Sequence, residues 1–273
     1  MSVFSTQRLE DKLVLITGAS GGIGAVPAIL FAKAGANLVL LARRQDKLTS
    51  VALAAQAAHK AAGQTKGGKV VTVVLDVSDR EGVNALRGKI PSELVGRWIS
   101  LVTVNNAGFV LGVDKIGDIK DDDMEAMFET NVYGLIRMTQ AFLKEFKSRN
   151  SGHIINIGSV AGREAYAGGA IYCATKAAVR SFSFSLLKEV VDTNVRVSEI
   201  QPGLVETEFS IVRFRGDKGA ADKVYEGLEP LTGKDVAEEI VWVASRPAHV
   251  NVAELFVMPV NQASPNIVHR PGK

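Results

Sequence analysis

Cysteine and histidine are scarce in this sequence. Its 273 residues include one cysteine, Cys173, and four scattered histidines. Because a disulfide needs two cysteines and a metal centre needs several clustered ligands, we expect neither an internal disulfide nor a bound metal ion.

Long apolar runs and concentrated charge are also missing. Residues 1–12 have no apolar core of signal-peptide length, and no later run approaches the roughly 20 apolar residues of a transmembrane helix. The formal net charge is only +3, and no run of five basic residues occurs. We therefore predict a cytoplasmic protein that binds neither membranes nor nucleic acids.

Apolar residues are plentiful, at 47% of the chain, and many lie in short runs between longer helical patterns. Strands that alternate with helices favour βαβ units, and continuously apolar strands are typical of a parallel sheet buried on both faces. Without any linker or repeat, the prediction is an α/β fold: one doubly wound domain over residues 1–273, with a parallel sheet of about seven strands and helices on both faces. The predicted strands are 12–17, 37–42, 69–77, 100–108, 152–159, 195–203 and 253–259. The predicted helices are 23–35, 45–63, one ending near 96, 121–149, 168–191 and 234–245.

A glycine-rich turn, TGASGGIG, joins the first predicted strand to the first helix. Glycine permits positive φ and a close approach of the backbone to a ligand, and a helix N-terminus favours a negatively charged group. Gly18, Gly22 and Gly24 therefore predict a pyrophosphate site, although their spacing differs from the commoner G-x-G-x-x-G fingerprint. A tight strand–helix connection without a ligand is the alternative interpretation.

The end of the second strand carries no acidic residue. Many NAD-binding proteins place Asp or Glu there to bind the 2′-hydroxyl of the adenosine ribose. Here Ala42 is followed by Arg43 and Arg44, which can bind a 2′-phosphate. Two solvated arginines are the alternative, but together with the glycine turn they predict NADP as the cofactor.

Tyr172 and Lys176 are four residues apart near the start of a predicted helix, so their side chains share a face. A nearby ammonium favours the phenolate, and we expect the pKa of Tyr172 to lie below its ordinary value of about 10. The pair suits proton transfer to or from a substrate oxygen. Ser159, at the end of the fifth strand, can bind the same oxygen, and Asn131 adds a polar group to an otherwise apolar helix.

Taken together and in this order, the motifs resemble those of the short-chain dehydrogenase/reductase family over nearly the whole chain. The resemblance includes TGASGGIG, the NNAG of residues 105–108, the thirteen-residue spacing of Ser159 and Tyr172, and the PG of residues 202–203. It implies a Rossmann-type fold, an oxidoreductase with a small-molecule substrate, and a homotetramer. Tyr172 would be the general acid or base, and Lys176 would lower its pKa and bind the nicotinamide ribose. Ser159 would hold the substrate oxygen, and Asn131 would hold a water of the proton relay.

The resemblance also implies which residues contact NADP. They lie in the glycine turn, after the second, third and fourth strands, at the catalytic pair and after the sixth strand. In chain order they are Gly18, Ser20, Gly22, Ile23, Gly24, Arg43, Arg44, Asp76, Val77, Asn106, Ala107, Gly108, Tyr172, Lys176, Pro202, Gly203, Val205 and Thr207.

The segment at about 203–230 and the tail at about 260–273 are similar to those of NADP-dependent 3-hydroxy acid dehydrogenases within this family. The similarity implies a substrate lid over residues 203–230 and a small 3-hydroxy acid as substrate, of the serine, allo-threonine or 3-hydroxypropionate type. Arg163, Arg213 and Arg215 are candidate ligands for its carboxylate, because arginine binds carboxylates through paired hydrogen bonds. A plain surface charge is the alternative for each arginine.

Two other functions stay open at this point. A broad-specificity NADPH-dependent carbonyl, ketone or polyol reductase would keep the same mechanism with a different pocket. A non-catalytic NADP-binding sensor would typically have lost Tyr172 or Lys176, and both are present.

Overall fold

The structure, a computed structural model, describes residues 5–95 and 101–271, and its centre is a parallel sheet. The sheet has seven strands, and two very short strands pair only with each other. In chain order the strands are β1 (Leu13–Thr17), β2 (Asn37–Ala42), β3 (Val70–Val74), β4 (Leu101–Asn105), β5 (Gly152–Ile157), β6 (Val195–Pro202), β7 (Val205–Glu206), β8 (Leu231–Thr232) and β9 (Glu254–Val257). The main sheet has the order β3-β2-β1-β4-β5-β6-β9, and its neighbouring strands all run parallel.

Helices cover both faces of this sheet, as the apolar strands predict. They are α1 (Gly22–Lys33), α2 (Gln45–Ala61), α3 (Arg80–Lys89), α4 (Ser92–Val95), α5 (Asp121–Phe128), α6 (Leu135–Ser148), α7 (Ala170–Glu189), α8 (Glu208–Arg213), α9 (Lys218–Tyr225) and α10 (Gly233–Ala244). Side chains of β1 alternate between the two layers: Val14 and Ile16 pack with α1, α2 and α10, whereas Leu13 and Leu15 pack with α3, α6 and α7. The predicted doubly wound α/β fold is therefore confirmed.

The strand order places a crevice beside β1. The chain moves from β1 to β2 and β3 on one side, then returns to β4 on the other side. Ligands of such sheets bind at this reversal, beyond the carboxyl ends of the strands. The predicted catalytic and cofactor residues follow the carboxyl ends of β1 to β6. The topology therefore gathers them at the end of the sheet where these strands finish.

The structure differs from the sequence prediction in two places. The helical stretches predicted over 121–149 include a π-helical turn, Glu129–Gly134, between α5 and α6, which the sequence did not indicate. The irregular segment after β6 contains two short helices, and each begins at a side-chain cap: Thr207 accepts a hydrogen bond from Phe209 N, and Asp217 accepts one from Ala220 N. Such caps are visible in the sequence, but helices of six and eight residues have too little periodicity to be recognised.

The remaining boundaries fall close to the predicted ones. The predicted helix end near residue 96 and strand start at residue 100 lie outside the described residues, as do residues 1–4, 272 and 273 of the predicted domain. Over residues 5–95 and 101–271, no helix combines the length and apolar character needed to cross a bilayer. The same residues contain no group of three side chains suited to hold a metal ion.

Candidate active site

The glycine turn after β1 packs tightly against the loop after β4. Gly18 has φ of +65°. A side chain at Gly24 would overlap the carbonyl oxygen of Gly18 and the side-chain nitrogen Nδ2 of Asn106. Asn106 donates from Nδ2 to the carbonyl oxygens of Thr17 and Gly18, at 3.0 and 3.3 Å. The contacts of Gly18 and Gly24 are thus internal to the protein. Gly22 has φ of +53° and more space, because a β-carbon added there would lie 3.7 Å from its nearest neighbour, Thr207.

Thr17 joins these two loops and was not predicted from the sequence. Its Oγ1 accepts hydrogen bonds from the backbone N–H groups of Asn106 and Ala107, both at 3.0 Å. Thr17 is buried at the end of β1, where it begins the TGASGGIG motif. Its position in the motif is the signal that could have identified it. Ile23 follows in the first turn of α1, partly buried against the core.

Arg44 connects the glycine turn to the segment after β6. Its guanidinium donates to Ser20 Oγ at 3.2 and 3.3 Å and to Glu208 Oε2 on α8 at 3.2 Å. Lys47 Nζ reaches the other Glu208 oxygen at 3.5 Å. The hydrogen bond from Arg44 is the largest cause that lowers the pKa of Glu208 below its ordinary value. The predicted phosphate ligands Arg44 and Ser20 are therefore adjacent, and Glu208 is a neighbour that the sequence did not reveal.

Arg43 lies beside the loop after β3. Its guanidinium is 3.6 Å from Asp76 Oδ2, and its side chain is 70% exposed. Burial raises the pKa of Asp76, but hydrogen bonds from Ser78 and the charge of Arg43 outweigh it and leave the pKa below its usual value. Val77 is buried against Gly134 of the π-helical turn. Arg43, Asp76 and Val77 thus follow the ends of β2 and β3, and their predicted contacts with the cofactor stay predictions.

Ser159 and Tyr172 meet beyond the carboxyl end of β5. Both are 8% exposed, and the Ser159 hydroxyl lies close enough to Tyr172 to lower its pKa, while Ser159 Oγ also accepts from Ala161 N at 3.1 Å. The ring of Phe209 on α8 packs edge-on against the Tyr172 ring, with centroids 5.6 Å apart. The pair is thus shielded from bulk water on the side of the segment that follows β6.

The predicted direction of the Tyr172 pKa is wrong for this structure. Burial raises it above the ordinary value of a phenol, because a phenolate loses its hydration there, and the nearby Ser159 hydroxyl lowers it only in part. The side-chain nitrogen of Lys176, four residues later, binds a backbone carbonyl and not the hydroxyl of Tyr172. Its Nζ lies 5.7 Å from the Tyr172 ring centroid and donates to the carbonyl oxygen of Ile157 at 2.8 Å.

Lys176 is itself buried, and only 6% of it is exposed. Burial lowers its pKa from 10.5 to about 8, and the charge of Glu199 opposes this change. Its Nζ also lies close to Gly108, in the loop after β4. Lys176 therefore stands at the junction of β4, β5 and α7 with a pKa lowered towards neutrality.

Asn131 holds the loop after β4 in place. Its Oδ1 accepts from Phe109 N at 3.0 Å, and its Nδ2 donates to Phe109 O at 2.8 Å and to Thr175 Oγ1 at 3.2 Å. The residue lies in the π-helical turn, a feature frequent at functional sites. The structure thus ties Asn131 to Phe109 and to α7, and its predicted role in holding a water stays a prediction.

The start of the predicted lid is anchored to β9 and the tail. Gly203 N donates to Val257 O at 2.8 Å, and Leu204 N donates to Gln262 Oε1 at 2.8 Å. The predicted nicotinamide neighbours follow from there: Pro202 ends β6, Val205 lies in β7, and Thr207 caps α8 beside Gly22. The segment therefore runs from the sheet edge back over the glycine turn.

The three candidate arginines lie in different places. Arg163 binds Gln201 at 2.6 Å and Glu254 at 3.1 Å and packs over the Phe256 ring. Its guanidinium is thus bound to side chains of β6 and β9. These contacts do not support its predicted role in binding the substrate carboxylate.

Arg215 is committed elsewhere as well. It has a positive φ of 54° just after α8 and pairs with Asp123 of α5. This pairing does not support its predicted role in binding substrate either.

Arg213 is the candidate that lies next to Tyr172. It donates to Tyr166 Oη at 3.2 Å and to Gly168 O at 3.0 Å, while its Nε is buried without a partner among the described residues. Its charge also acts to lower the pKa of Tyr172. Arg213 is therefore a cation held near Tyr172 by Tyr166 and Gly168, and its buried Nε is a donor for which the described residues supply no acceptor. Tyr166, which orients Arg213, was not predicted.

Comparisons with known proteins agree with this geometry. The sequence pattern of the family described as short chain dehydrogenase matches residues 12–217. A protein of Schizosaccharomyces pombe named NADP-dependent 3-hydroxy acid dehydrogenase is 44% identical over 264 residues, which cover 96% of this chain and 98% of the relative. Sulfoacetaldehyde reductase 2 of Chromohalobacter salexigens is 41% identical over 254 residues, covering 93% and 96% of the two chains.

A solved structure is also similar. The closed form of serine dehydrogenase complexed with NADP+ has a TM-score of 0.85 and 40% identity, and the match covers 94% of this chain and 99% of that one. The family pattern spans the glycine turn, Asn131, Ser159, Tyr172 and Lys176, which the fold gathers at one sheet edge. The resemblance found in the sequence is confirmed, and the chain belongs to the short-chain dehydrogenase/reductase family.

Proposed function

We propose that the protein is an NADP-dependent oxidoreductase that transfers a hydride between NADP(H) and the hydroxyl or carbonyl carbon of a small 3-hydroxy acid. The observation that carries the proposal is the position of Arg213, which is bound to Tyr166 and whose charge acts on Tyr172, because it brings an anion-binding group near a proton-transfer group. The names of the relatives, 3-hydroxy acid dehydrogenase and serine dehydrogenase, support the same substrate class.

The residues at the crevice fit NADP. Ser20 and Arg44 are adjacent hydrogen-bonding groups at the glycine turn, and the turn leads into the N-terminus of α1, which favours phosphate. Arg43 adds a second, exposed cation, suited to a 2′-phosphate with Arg44. Lys176 would bind the nicotinamide ribose at the other end. When bound, the cofactor supplies or accepts the hydride.

The protein's own residues would manage the proton. Ser159 and Tyr172 would both hydrogen-bond the substrate oxygen; Tyr172 would give it a proton in reduction and take one in oxidation. The Lys176 ammonium favours the Tyr172 phenolate, and in a site shielded by Phe209 its charge acts more strongly than it would in water.

Arg213 would hold the acid end of the substrate. A hydroxyl fixed at Ser159 and Tyr172 and a carboxylate fixed at Arg213 would orient the reacting carbon from two sides. An uncharged analogue would leave the buried N–H of the guanidinium without its partner, which penalises it in binding.

Reduction of sulfoacetaldehyde is a second candidate, favoured by the same arginine and by the relative named for that activity. A sulfonate is an anion like a carboxylate, so Arg213 could bind either. A broad carbonyl or polyol reductase would not need this arginine. A non-catalytic sensor would not need Ser159 close to Tyr172.

The test compares an acid with its ester. With NADP+, serine should have a kcat/KM at least about tenfold above that of serine methyl ester, because a charged hydrogen bond is worth about 1.5–3 kcal/mol. Arg213→Met should shrink that ratio towards one, and Arg215→Met, the matched control on the same segment, should keep it. An ester that reacts as well as the acid would refute the 3-hydroxy acid proposal and favour the broad reductase.

We further propose a homotetramer working in the cytoplasm. Exposed apolar side chains on β9 and the tail support subunit contacts: Phe256 is 44% exposed, Val260 101% and Ile267 64%. Light scattering of the purified protein should give four times the mass of the 29.1 kDa chain. A monomer mass at micromolar concentration would rule out the tetramer.

A further inference from the structure

Glu199 is a buried acid that the proposed mechanism does not use. It lies in the middle of β6 with 0% of its surface exposed, and neither carboxylate oxygen has a hydrogen-bond partner among the described residues. Buried carboxylates are ordinarily paired or hydrogen-bonded, because losing hydration is costly. An acid in this condition calls for an explanation.

The neighbours of Glu199 in the sheet direct their donors elsewhere. Asn156, its partner on β5, donates to Ser183 Oγ at 2.9 Å. Gln201 lies close enough to lower the pKa of Glu199 somewhat, but its Nε2 donates to Glu254 Oε1 at 2.9 Å. Glu254, the partner of Glu199 on β9, also binds Arg180 at 2.8 Å. The sheet therefore satisfies Glu254 and leaves Glu199 unpaired.

The carboxylate of Glu199 faces the backbone that carries the catalytic residues. A side chain at Gly158 would overlap Glu199 Oε1, so glycine is needed there for the acid to fit. Gly158 stands between Ile157, whose carbonyl oxygen accepts from Lys176 Nζ, and Ser159. Glu199 thus lies behind the peptide that holds both groups, and its charge and that of Lys176 act on each other.

We propose that Glu199 is a positioning residue that acts through Lys176: its carboxylate supplies the negative charge that keeps Lys176 an ammonium during catalysis. The inference rests on the proposed oxidoreductase function. No bond is made or broken at Glu199, and the proton stays on Lys176 Nζ while Tyr172 exchanges its own with the substrate.

The charges around the acid agree with this role. Burial raises the pKa of Glu199 to about 7, the charge of Glu254 from β9 acts in the same direction, and Lys176 and Arg180 from α7 oppose it. Burial lowers the pKa of Lys176 to about 8, and Glu199 opposes that change. Arg163, from the turn after β5, is bound to Glu254. Each of the two charges thus favours the charged form of the other group.

The test removes the charge and keeps the shape. In Glu199→Gln, the pKa of Lys176 should fall, so the alkaline limb of the kcat/KM profile should move about one pH unit lower, the size expected for loss of a nearby opposite charge. Glu199→Asp keeps the charge and should restore the limb towards its original position. Glu254→Gln, the neighbouring acid on β9, is the control and should not move the limb down.

A second readout does not depend on activity. The carbon-13 resonance of the Lys176 side chain, assigned by its loss in Lys176→Arg, reports the pKa of Lys176 directly, and Glu199→Gln should lower it by a similar amount. An unchanged Lys176 titration in Glu199→Gln overturns the proposal, as does an equal downward shift in Glu254→Gln. Failure to find any hydroxy acid substrate would refute the proposed function. The carbon-13 titration of Lys176 would still show whether Glu199 raises the pKa of Lys176.

Discussion

The carboxyl group of Glu199 should make the folded protein less stable as the pH rises through neutrality. Its pKa is raised from 4.5 to about 7 by burial. Because a tenfold change in acid strength corresponds to about 1.4 kcal/mol, ionising this group in the folded state costs about 3 kcal/mol more than in the unfolded chain.

The sign follows from which state binds the proton more tightly. Below pH 4.5 both states hold the proton, so Glu199 has no effect on the pH dependence there. Between pH 4.5 and about 7 the folded state keeps a proton that the unfolded chain has lost, so the free energy of unfolding falls as the pH rises. Above about pH 7 the full loss is present.

Glu199→Gln removes this titration and retains a side chain of the same shape. Urea unfolding at several pH values from about 4.5 to 8 measures the difference in unfolding free energy between the variant and the unmodified protein. We expect that difference to move by about 3 kcal/mol in favour of the variant across the range.

Glu254→Gln should behave in the opposite way. Burial raises the pKa of Glu254, but hydrogen bonds from Arg180 and Gln201 and the charge of Arg163 outweigh it and leave the pKa lowered. Its carboxylate therefore stabilises the fold above pH 4.5, and its loss should weaken the protein at about pH 8 more than at low pH. If the unfolding curves of Glu199→Gln and the unmodified protein change in parallel with pH, the reasoning on Glu199 is refuted.

Three further variants test the site. Tyr172→Phe should lower kcat by about 100-fold or more, the range of general acid–base catalysis, with NADPH binding kept, and near-normal turnover would contradict its role. Arg44→Ala should raise the KM for NADPH roughly 10- to 100-fold and that for NADH little, since a charged hydrogen bond is worth about 1.5–3 kcal/mol; equal losses for both cofactors would contradict a 2′-phosphate contact. Asn131→Ala leaves the N–H and C=O of Phe109 without their side-chain partner, so the free energy of unfolding in urea should fall by about 2–5 kcal/mol. A loss below about 1 kcal/mol would show that these two hydrogen bonds do not stabilise the fold.

The sequence alone determined the fold and the strand ends at which the predicted site residues lie. Apolar runs without alternation predicted buried parallel strands, and a parallel sheet with helices on both faces leaves one edge for ligands. Because the glycine turn, Ser159 and Tyr172 lie close to the ends of strands or the start of a helix, the topology had to bring them together. Local spacing was sufficient for these predictions.

Tertiary structure decided which arginine lies at the site. Arg163, Arg213 and Arg215 were all candidates from the sequence, but of the three, Arg213 is bound to Tyr166 and acts on Tyr172, with a buried Nε that has no partner among the described residues. The other two are bound by Glu254 and by Asp123. Their partners come from elements distant in sequence, so no local pattern could separate them.

Desolvation was likewise beyond the sequence. The four-residue spacing of Tyr172 and Lys176 correctly placed them on one helix, but burial, which depends on the packing of α8 and β5, reversed the expected direction of the Tyr172 pKa. The same holds for Glu199, which reads as an ordinary polar residue in a strand and becomes an unpaired acid behind Lys176 only when β5, β6 and α7 are packed together. Sequence spacing reports neighbours within one element, whereas the energy of a charge depends on every element that excludes water from it.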